Sequence, residues 1–159
     1  MQTLVVYASR YGCTADCAAY LKTHLPGDVT LVDIETVTQP LDLEGFDRVA
    51  IGGSVYIGKV SKKLRAFCEQ NLDLLLRKKV GIFLCCAQTE EASAFLAANF
   101  PAALLNHASV SKTFGSEARL DKMGMLDKLM IKAVTKGDFS RFQISTEALE
   151  AFVQELSST

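Results

Sequence analysis

The chain has 159 residues, of which 49% are hydrophobic and 22% are charged, and its formal net charge is −1. This composition predicts one globular domain over residues 1–159 with a substantial apolar core, and it excludes extensive disorder. The balanced charge offers no general attraction to nucleic acid. Because no apolar run of about 18 residues and no signal peptide is present, we expect a cytoplasmic protein.

The predicted elements begin with residues 4–21, an apolar strand that leads through a polar turn into a helix. Residues 4–7 are apolar throughout, as in a strand buried on both faces, and apolar residues recur at helical intervals from Thr14 onward. The turn, residues 9–14, therefore lies where a strand's end meets a helix's start. Backbone N–H groups, the helix dipole and the hydroxyls of Ser9 and Thr14 could bind an anion there. The alternative is a turn whose hydroxyls only cap the helix.

The middle of the chain predicts two further strands and a helix. Residues 29–33 predict a second, more exposed strand, and residues 48–52 a third, apolar strand that ends in a glycine-rich loop, residues 52–58. Residues 61–77 carry their apolar side chains on one stripe. This pattern predicts an amphipathic helix that crosses over the sheet.

The fourth strand, residues 80–86, is the most apolar and is therefore predicted to be central. It leads through polar residues 87–90 to a helix at about residues 91–99, which Pro101 ends. Residues 108–114 predict a more polar strand at the sheet edge. Strands that alternate with helices predict right-handed βαβ units and a parallel sheet covered on both faces.

Residues 115–140 separate the fifth strand from the last predicted helix, residues 146–156. Within them, residues 121–136 predict an amphipathic helix whose basic face carries lysines at every fourth position: Lys128, Lys132 and Lys136. This helix either packs on the domain as an extra element or contacts an anionic membrane surface or an acidic partner.

The five cysteines do not have the spacing of a disulfide framework or a zinc site, since their number is odd and no C-x-x-C pair occurs. We expect thiols, with Cys85 and Cys86 in an apolar strand where at least one packs in the core. Cys13, at a helix start, has either a depressed pKa or a packed side chain near the turn. His24 and His107 lack ligand companions, and we expect both at the surface and no metal site.

The first strand, turn and helix resemble the FMN-binding signature of flavodoxins. Its positions are filled by Val5, Val6, Tyr7, Ser9, Gly12, Thr14, Ala18 and Leu21. The turn matches neither the P-loop nor the G-x-G-x-x-G fingerprint. The resemblance implies FMN as cofactor and an α/β, flavodoxin-like three-layer sandwich with a parallel sheet of order 2-1-3-4-5. In such sheets ligands bind where the strand order reverses, between the first and third strands.

The same resemblance implies which residues surround FMN. Those at the phosphate would be Ser9, Arg10, Tyr11, Gly12, Cys13 and Thr14. Those beside the isoalloxazine would be Ser54, Val55, Tyr56, Ile57, Gly58, Ala87, Gln88 and Thr89. Tyr56 is the candidate for stacking, but flavodoxin relatives often place the aromatic residue directly before the glycine, where this chain has Ile57. No catalytic side chain is expected, because no Ser-His-Asp set or acid pair accompanies these loops.

Nearly the whole chain also resembles the flavodoxin-domain menaquinone-dependent protoporphyrinogen dehydrogenases. The resemblance rests on residues 9–14, on residues 51–59 (IGGSVYIGK) and on residues 127–132. It implies oxidation of a porphyrinogen ring, with electrons passing through FMN to a quinone at the membrane surface. Residues 89–106 are shorter than that family's long inserted loop, which favours the alternative of a soluble flavodoxin that carries electrons between partner proteins. A third alternative is a module that keeps the fold without the flavin.

Overall fold

Five parallel strands form one sheet in the order β2-β1-β3-β4-β5. The computed structural model describes residues 1–86, 88–116, 120–135 and 143–159. The strands are β1 (Gln2–Ala8), β2 (Asp28–Asp33), β3 (Arg48–Ser54), β4 (Lys79–Cys85) and β5 (Val110–Thr113). Each strand begins and ends within two residues of its predicted bounds, and the predicted strand order is confirmed.

Helices connect the strands and follow the last one. They are α1 (Cys13–His24), α2 (Lys62–Gln70), α3 (Leu72–Leu75), α4 (Ala92–Asn99), α5 (Ala102–His107), α6 (Met125–Thr135) and α7 (Thr146–Ser157). Short 3₁₀ turns occur at Ile34–Thr36, Thr89–Glu91 and Leu120–Lys122. The predicted basic helix corresponds to α6 and the predicted last helix to α7.

The single helix predicted over residues 61–77 is wrong, because it divides at Asn71 into α2 and α3. The Asn71 side chain donates to the Phe67 carbonyl at 2.9 Å, and its backbone leaves the helical region with φ −111° and ψ 16°. Asparagine side chains compete in this way for backbone groups. Helix α5 was not predicted; it starts directly after Pro101, whose φ of −57° suits the residue before a helix.

Both faces of the sheet are covered, and each face has its own apolar core. On one face α1 and α7 enclose Phe83, Phe114 and Phe152, whose ring centroids are 5.0 to 5.6 Å apart. On the other face α2 to α5 pack over the sheet through residues such as Leu64 and Leu84. Side chains of a strand alternate between faces, so consecutive β4 residues enter different cores. The predicted three-layer sandwich is confirmed.

The described part of α6 differs from the other helices because its large apolar side chains are exposed. Met125, Leu126 and Leu129 have exposed fractions of 80%, 77% and 59%. Lys128 is half-buried and Lys132 is exposed. Lys136, the third residue of the predicted basic face, lies outside the described residues. No helix in the described part of the chain has the length and apolar character that a membrane span requires.

Candidate functional site

A cavity of about 620 Å³ lies beyond the carboxyl ends of β1 and β3. The two strands run side by side, with Ala8 of β1 paired to Gly53 of β3, so the loops that follow them open at the same sheet edge. The strand order reverses here, which is the position where open α/β sheets bind ligands. The volume lies within the range of small-molecule pockets, about 300 to 1,000 Å³.

The loop after β1 presents hydroxyl groups and an uncapped helix start to this edge. Gly12 precedes α1 with φ 96°, a conformation that favours glycine, and it offers no side chain to cap the helix. Ser9 Oγ accepts a hydrogen bond from the Gly12 N–H at 2.9 Å. Thr14 Oγ1 lies 2.6 Å from Ser54 Oγ on the neighbouring loop. The hydroxyls of β1 and β3 loops therefore meet where the helix dipole favours an anion.

Cys13 is the first residue of α1, directly after this loop, and its side chain does not line the cavity. The thiol is only 6% exposed and packs in the same core as Cys17 and Cys85. Of the two alternatives for Cys13, the structure favours packing. Any contact of this residue with an anion would come from its backbone.

The loop after β3 forms a tight two-residue turn. Tyr56 and Lys59 exchange backbone hydrogen bonds of 2.8 and 3.1 Å around Ile57, with φ 50°, and Gly58, with φ 74°. Two consecutive positive φ angles define a type I′ turn, which normally takes Asn-Gly. Ile57 is β-branched and 71% exposed, so it is strained in the left-handed region without burial in return.

Replacing Ile57 with asparagine should therefore stabilise the protein by about 1 kcal/mol, because asparagine tolerates positive φ. Urea unfolding followed by circular dichroism measures the change. Ile57→Val keeps the branched Cβ and serves as the control, with no gain expected. An Ile57→Asn variant no more stable than the wild type would show that the turn is unstrained.

Asp127, in the first turn of α6, joins the two loops. Its carboxylate pairs with Arg10 Nη2 at 3.1 Å, accepts from Tyr56 Oη at 2.6 Å and accepts from Tyr11 Oη. Arg10 also stacks on the Tyr56 ring, 3.4 Å from its centroid. The Asp127 side chain is 13% exposed, although the neighbouring apolar residues of α6 are not covered. This cluster holds α6 against the rim of the cavity.

The hydrogen bonds from Tyr11, Tyr56 and Arg10 lower the pKa of Asp127 from 3.8 to about 2. The hydrogen bond to Asp127 in turn raises the pKa of Tyr56. A carboxylate whose pKa is lower in the folded protein adds stability above its ordinary pKa, and that stability is lost as pH falls through the folded value. The docking of α6 should thus be constant above pH 3.8 and fail towards pH 2.

The Asp127→Asn variant should lose this docking at neutral pH. We expect amide hydrogen exchange in α6 to be severalfold faster than in the wild type, and not to increase further on acidification once corrected for intrinsic rates. Asp121→Asn changes an exposed residue just before α6 and should leave exchange unaltered. Equal exchange in wild type and Asp127→Asn would mean that other contacts hold the helix.

Five of the predicted site residues line the cavity: Ser9, Arg10, Ser54, Tyr56 and Ile57. Thr14 is linked to the cavity wall by its hydrogen bond with Ser54. Tyr11 donates to Asp127, which also bonds to Arg10 and Tyr56 of the wall. Gln88 and Thr89 are exposed and are not part of the cavity wall, whereas the predicted Ala87 lies outside the described residues. Val55 donates its N–H to the carbonyl of Cys85, and the carbonyl of Gly58 accepts a hydrogen bond from the Asn99 side chain on α4.

Sequence reasoning missed four polar residues of the site: Glu35, Lys59, Ser61 and Asp127. Glu35 follows β2, and its carboxylate accepts from the Ser61 hydroxyl at the start of α2. Because β2 lies next to β1, its carboxyl end is at the same edge of the sheet. The predicted strand order could therefore have indicated that residues after β2 reach the site. Asp127 begins one of the segments on which the resemblance rests, but nothing local indicated its contact with Arg10, which is 117 residues away along the chain.

Solved structures of similar fold include two flavodoxins and a larger oxidoreductase. An archaeal flavodoxin shares 14% identity and a TM-score of 0.58, over 99% of this chain and 94% of that one. Oxidised Flavodoxin 1 from Bacillus cereus shares 14% identity and a TM-score of 0.56, over 98% and 97%. Rubredoxin oxygen:oxidoreductase from Desulfovibrio gigas shares 12% identity and a TM-score of 0.55, but the chain covers only 37% of that protein.

No curated protein matches the chain. The family model described as "Flavodoxin domain" matches residues 4–142, from β1 through the loops of the cavity to the segment after α6. The match spans most of the chain and agrees with the strand order and with the cavity at the β1–β3 edge. The protein therefore belongs to the flavodoxin-domain family.

Proposed function

We propose that the chain binds FMN in this cavity and uses it to transfer electrons. The donor set fits a phosphate: hydroxyls of Ser9, Thr14 and Ser54, the guanidinium of Arg10 and the uncapped start of α1. The cavity beside them provides room for a flat ring system. Family membership and the flavodoxins of similar fold support the same cofactor. When bound, FMN supplies the electron-transfer chemistry, and the chain binds and orients it.

Ile57 is the side chain that we assign to pack on the ring. One face of Tyr56 is covered by Arg10, and its hydroxyl is bonded to Asp127, so Tyr56 is less available. Ile57 is exposed at the cavity rim and held there by a strained turn, and strain of this kind persists where function needs it. The stabilised Ile57→Asn variant should accordingly bind FMN more weakly than Ile57→Val.

We infer further that the protein is an enzyme of the protoporphyrinogen dehydrogenase type, with a quinone as electron acceptor. The observation that carries this proposal is the placement of α6. Asp127 holds it at the cavity rim, while Met125, Leu126 and Leu129 stay exposed. An apolar surface next to the flavin site suits an apolar ring substrate and a membrane-dissolved quinone better than it suits a water-soluble partner.

The alternative is a soluble electron carrier, and one observation favours it. The segment between β4 and β5 consists of a 3₁₀ turn and the short helices α4 and α5, ending at His107. This segment is shorter than the long inserted loop expected of protoporphyrinogen dehydrogenases. In a carrier, the apolar face of α6 would contact a redox partner protein.

An anaerobic assay with the FMN-loaded protein separates these functions. We expect protoporphyrinogen to be oxidised with one menaquinone analogue reduced per electron pair, faster than with the same concentration of free FMN. Flavin-free protein is the second control. If the loaded protein shows no turnover but exchanges electrons with a reductase protein, it is a carrier. If it takes up no FMN after reconstitution, the cofactor proposal itself fails.

The lysines of α6 should contribute to contact with an anionic membrane. Lysines near such a surface contribute about 1 kcal/mol each, so Lys128→Glu with Lys132→Glu should weaken sedimentation with anionic vesicles by about 30-fold at low salt. Lys22→Glu with Lys62→Glu changes the net charge equally, on exposed residues of α1 and α2, and should have little effect. An equal effect of both pairs, or none, would leave α6 as an extra helix packed on the domain.

A further inference from the structure

Three cysteines bring their sulfur atoms together beneath the loop that precedes α1. Cys13 and Cys17 are one turn apart on α1 and therefore share a face, and Cys85 is the last residue of β4. The three Sγ atoms all lie within 4.8 Å of one another, and Cys17 Sγ is 3.8 Å from Cys85 Sγ. All three residues are thiols rather than disulfide-bonded. The FMN site proposed above does not use these side chains.

The separations are close to those of a three-sulfur ion site. Three sulfur atoms about 2.3 Å from a bound ion are about 4.0 Å apart when the ion lies in their plane, and closer together when it lies above that plane. The cluster therefore needs only small side-chain adjustments to enclose an ion. Among the described residues, the group contains no histidine, aspartate or glutamate as a fourth ligand.

Burial restricts which ion fits. The cysteines are 2 to 6% exposed, in a core that also contains Val5, Phe83 and Phe114. A net charge in such a place is costly, because it leaves water without a partner.

Charge balance then selects the valence of the ion. Three thiolates around Cu(I) would leave two buried negative charges, and around Zn(II) one, with Zn(II) also lacking its usual fourth ligand. Three thiolates around a trivalent ion would leave no net charge. Soft ions prefer thiolate ligands.

We propose that Cys13, Cys17 and Cys85 form a binding site for one trivalent, thiophilic metalloid ion such as arsenic(III). Arsenous acid, which is uncharged, would be the species that reacts with the three thiols. Its three As–O bonds break and three As–S bonds form, each thiol proton leaving with a hydroxide as water. No atom changes oxidation state, and no co-reactant is needed. The bound ion would tie the start of α1 to the end of β4.

The experiment uses the full chain, with and without FMN, and sodium arsenite as the probe. Native mass spectrometry should show the mass of one arsenic less three hydrogens, and X-ray absorption should show three sulfur neighbours and no oxygen. Binding should also raise the thermal midpoint with increasing arsenite, since a ligand that binds only the folded state stabilises it. Two sulfur neighbours, or a retained oxygen, would overturn the three-thiol site.

Variants locate the site. Alanine at Cys13, Cys17 or Cys85 should weaken arsenite binding by more than about 100-fold, because loss of a ligand costs more than loss of its supporting contacts. Cys68→Ala is the matched control, since Cys68 is also buried but belongs to the other core. Equal binding by Cys17→Ala and Cys68→Ala would refute the assignment. In competition, displacement of arsenite by equimolar Cu(I) or Zn(II) would refute the trivalent selection.

Discussion

Replacing Thr14 with valine should weaken FMN binding by about 10- to 100-fold, since a hydrogen bond to a charged group contributes about 1.5 to 3 kcal/mol. The substitution keeps the shape of a fully buried side chain and removes only the hydroxyl that pairs with Ser54. Equilibrium titration by flavin fluorescence measures the dissociation constant.

Riboflavin, which lacks the phosphate, provides the decisive comparison for Thr14→Val. If the hydroxyl helps to hold the phosphate, the variant should bind riboflavin as well as the wild type does. Thr23→Val, in the last turn of the same helix, controls for loss of a threonine hydroxyl away from the cavity. A loss of riboflavin affinity equal to that for FMN would place the effect in the protein's packing rather than at the phosphate.

The Gly52→Ala variant should be destabilised by about 3 kcal/mol, because overpacking a closed core costs about that much. A Cβ at Gly52 would overlap the ring of Phe83, its cross-strand neighbour on β4. Phe83 cannot move away easily, since it is fully buried and contacts the rings of Phe114 and Phe152. Urea unfolding of the flavin-free protein measures the free energy.

Gly45 offers the matched control for Gly52. A Cβ there meets nothing within 4 Å, so Gly45→Ala should be neutral or slightly stabilising through its effect on the unfolded chain. A Gly52→Ala variant within about 1 kcal/mol of the wild type would contradict the close packing of Phe83 over β3, because cores cannot usually absorb an added methyl group at so small a cost.

The docking of α6, which Asp127 stabilises, sets the position of both the apolar surface and the cavity rim. Asp127 connects the helix to Arg10, Tyr11 and Tyr56, so a change at this carboxylate should move both the apolar surface and the cavity rim. Asp127→Asn therefore tests whether the α6 surface is used in either function. An enzyme that uses this surface for its substrates would lose protoporphyrinogen turnover, and a carrier would lose electron exchange with its partner protein.

The strands followed from local patterns, and their order followed from the resemblance to flavodoxins. Residues 4–7 and 80–86 are apolar without alternation, as only strands covered on both faces are, and the observed β1 and β4 contain or nearly match them. The same reasoning failed over residues 61–77, where one side-chain bond from Asn71 outweighed the apolar stripe. It also missed α5, which has only six residues and too short a pattern to detect.

Local patterns were sufficient to predict the parallel sheet and the loop that offers an anion site, because strand burial and helix starts depend on neighbouring residues. The contact of Asp127 with the cavity rim and the clustering of Cys13, Cys17 and Cys85 became visible only in the folded chain. Those contacts join residues far apart in the chain. Their distances depend on how the helices pack, and no local periodicity encodes that packing.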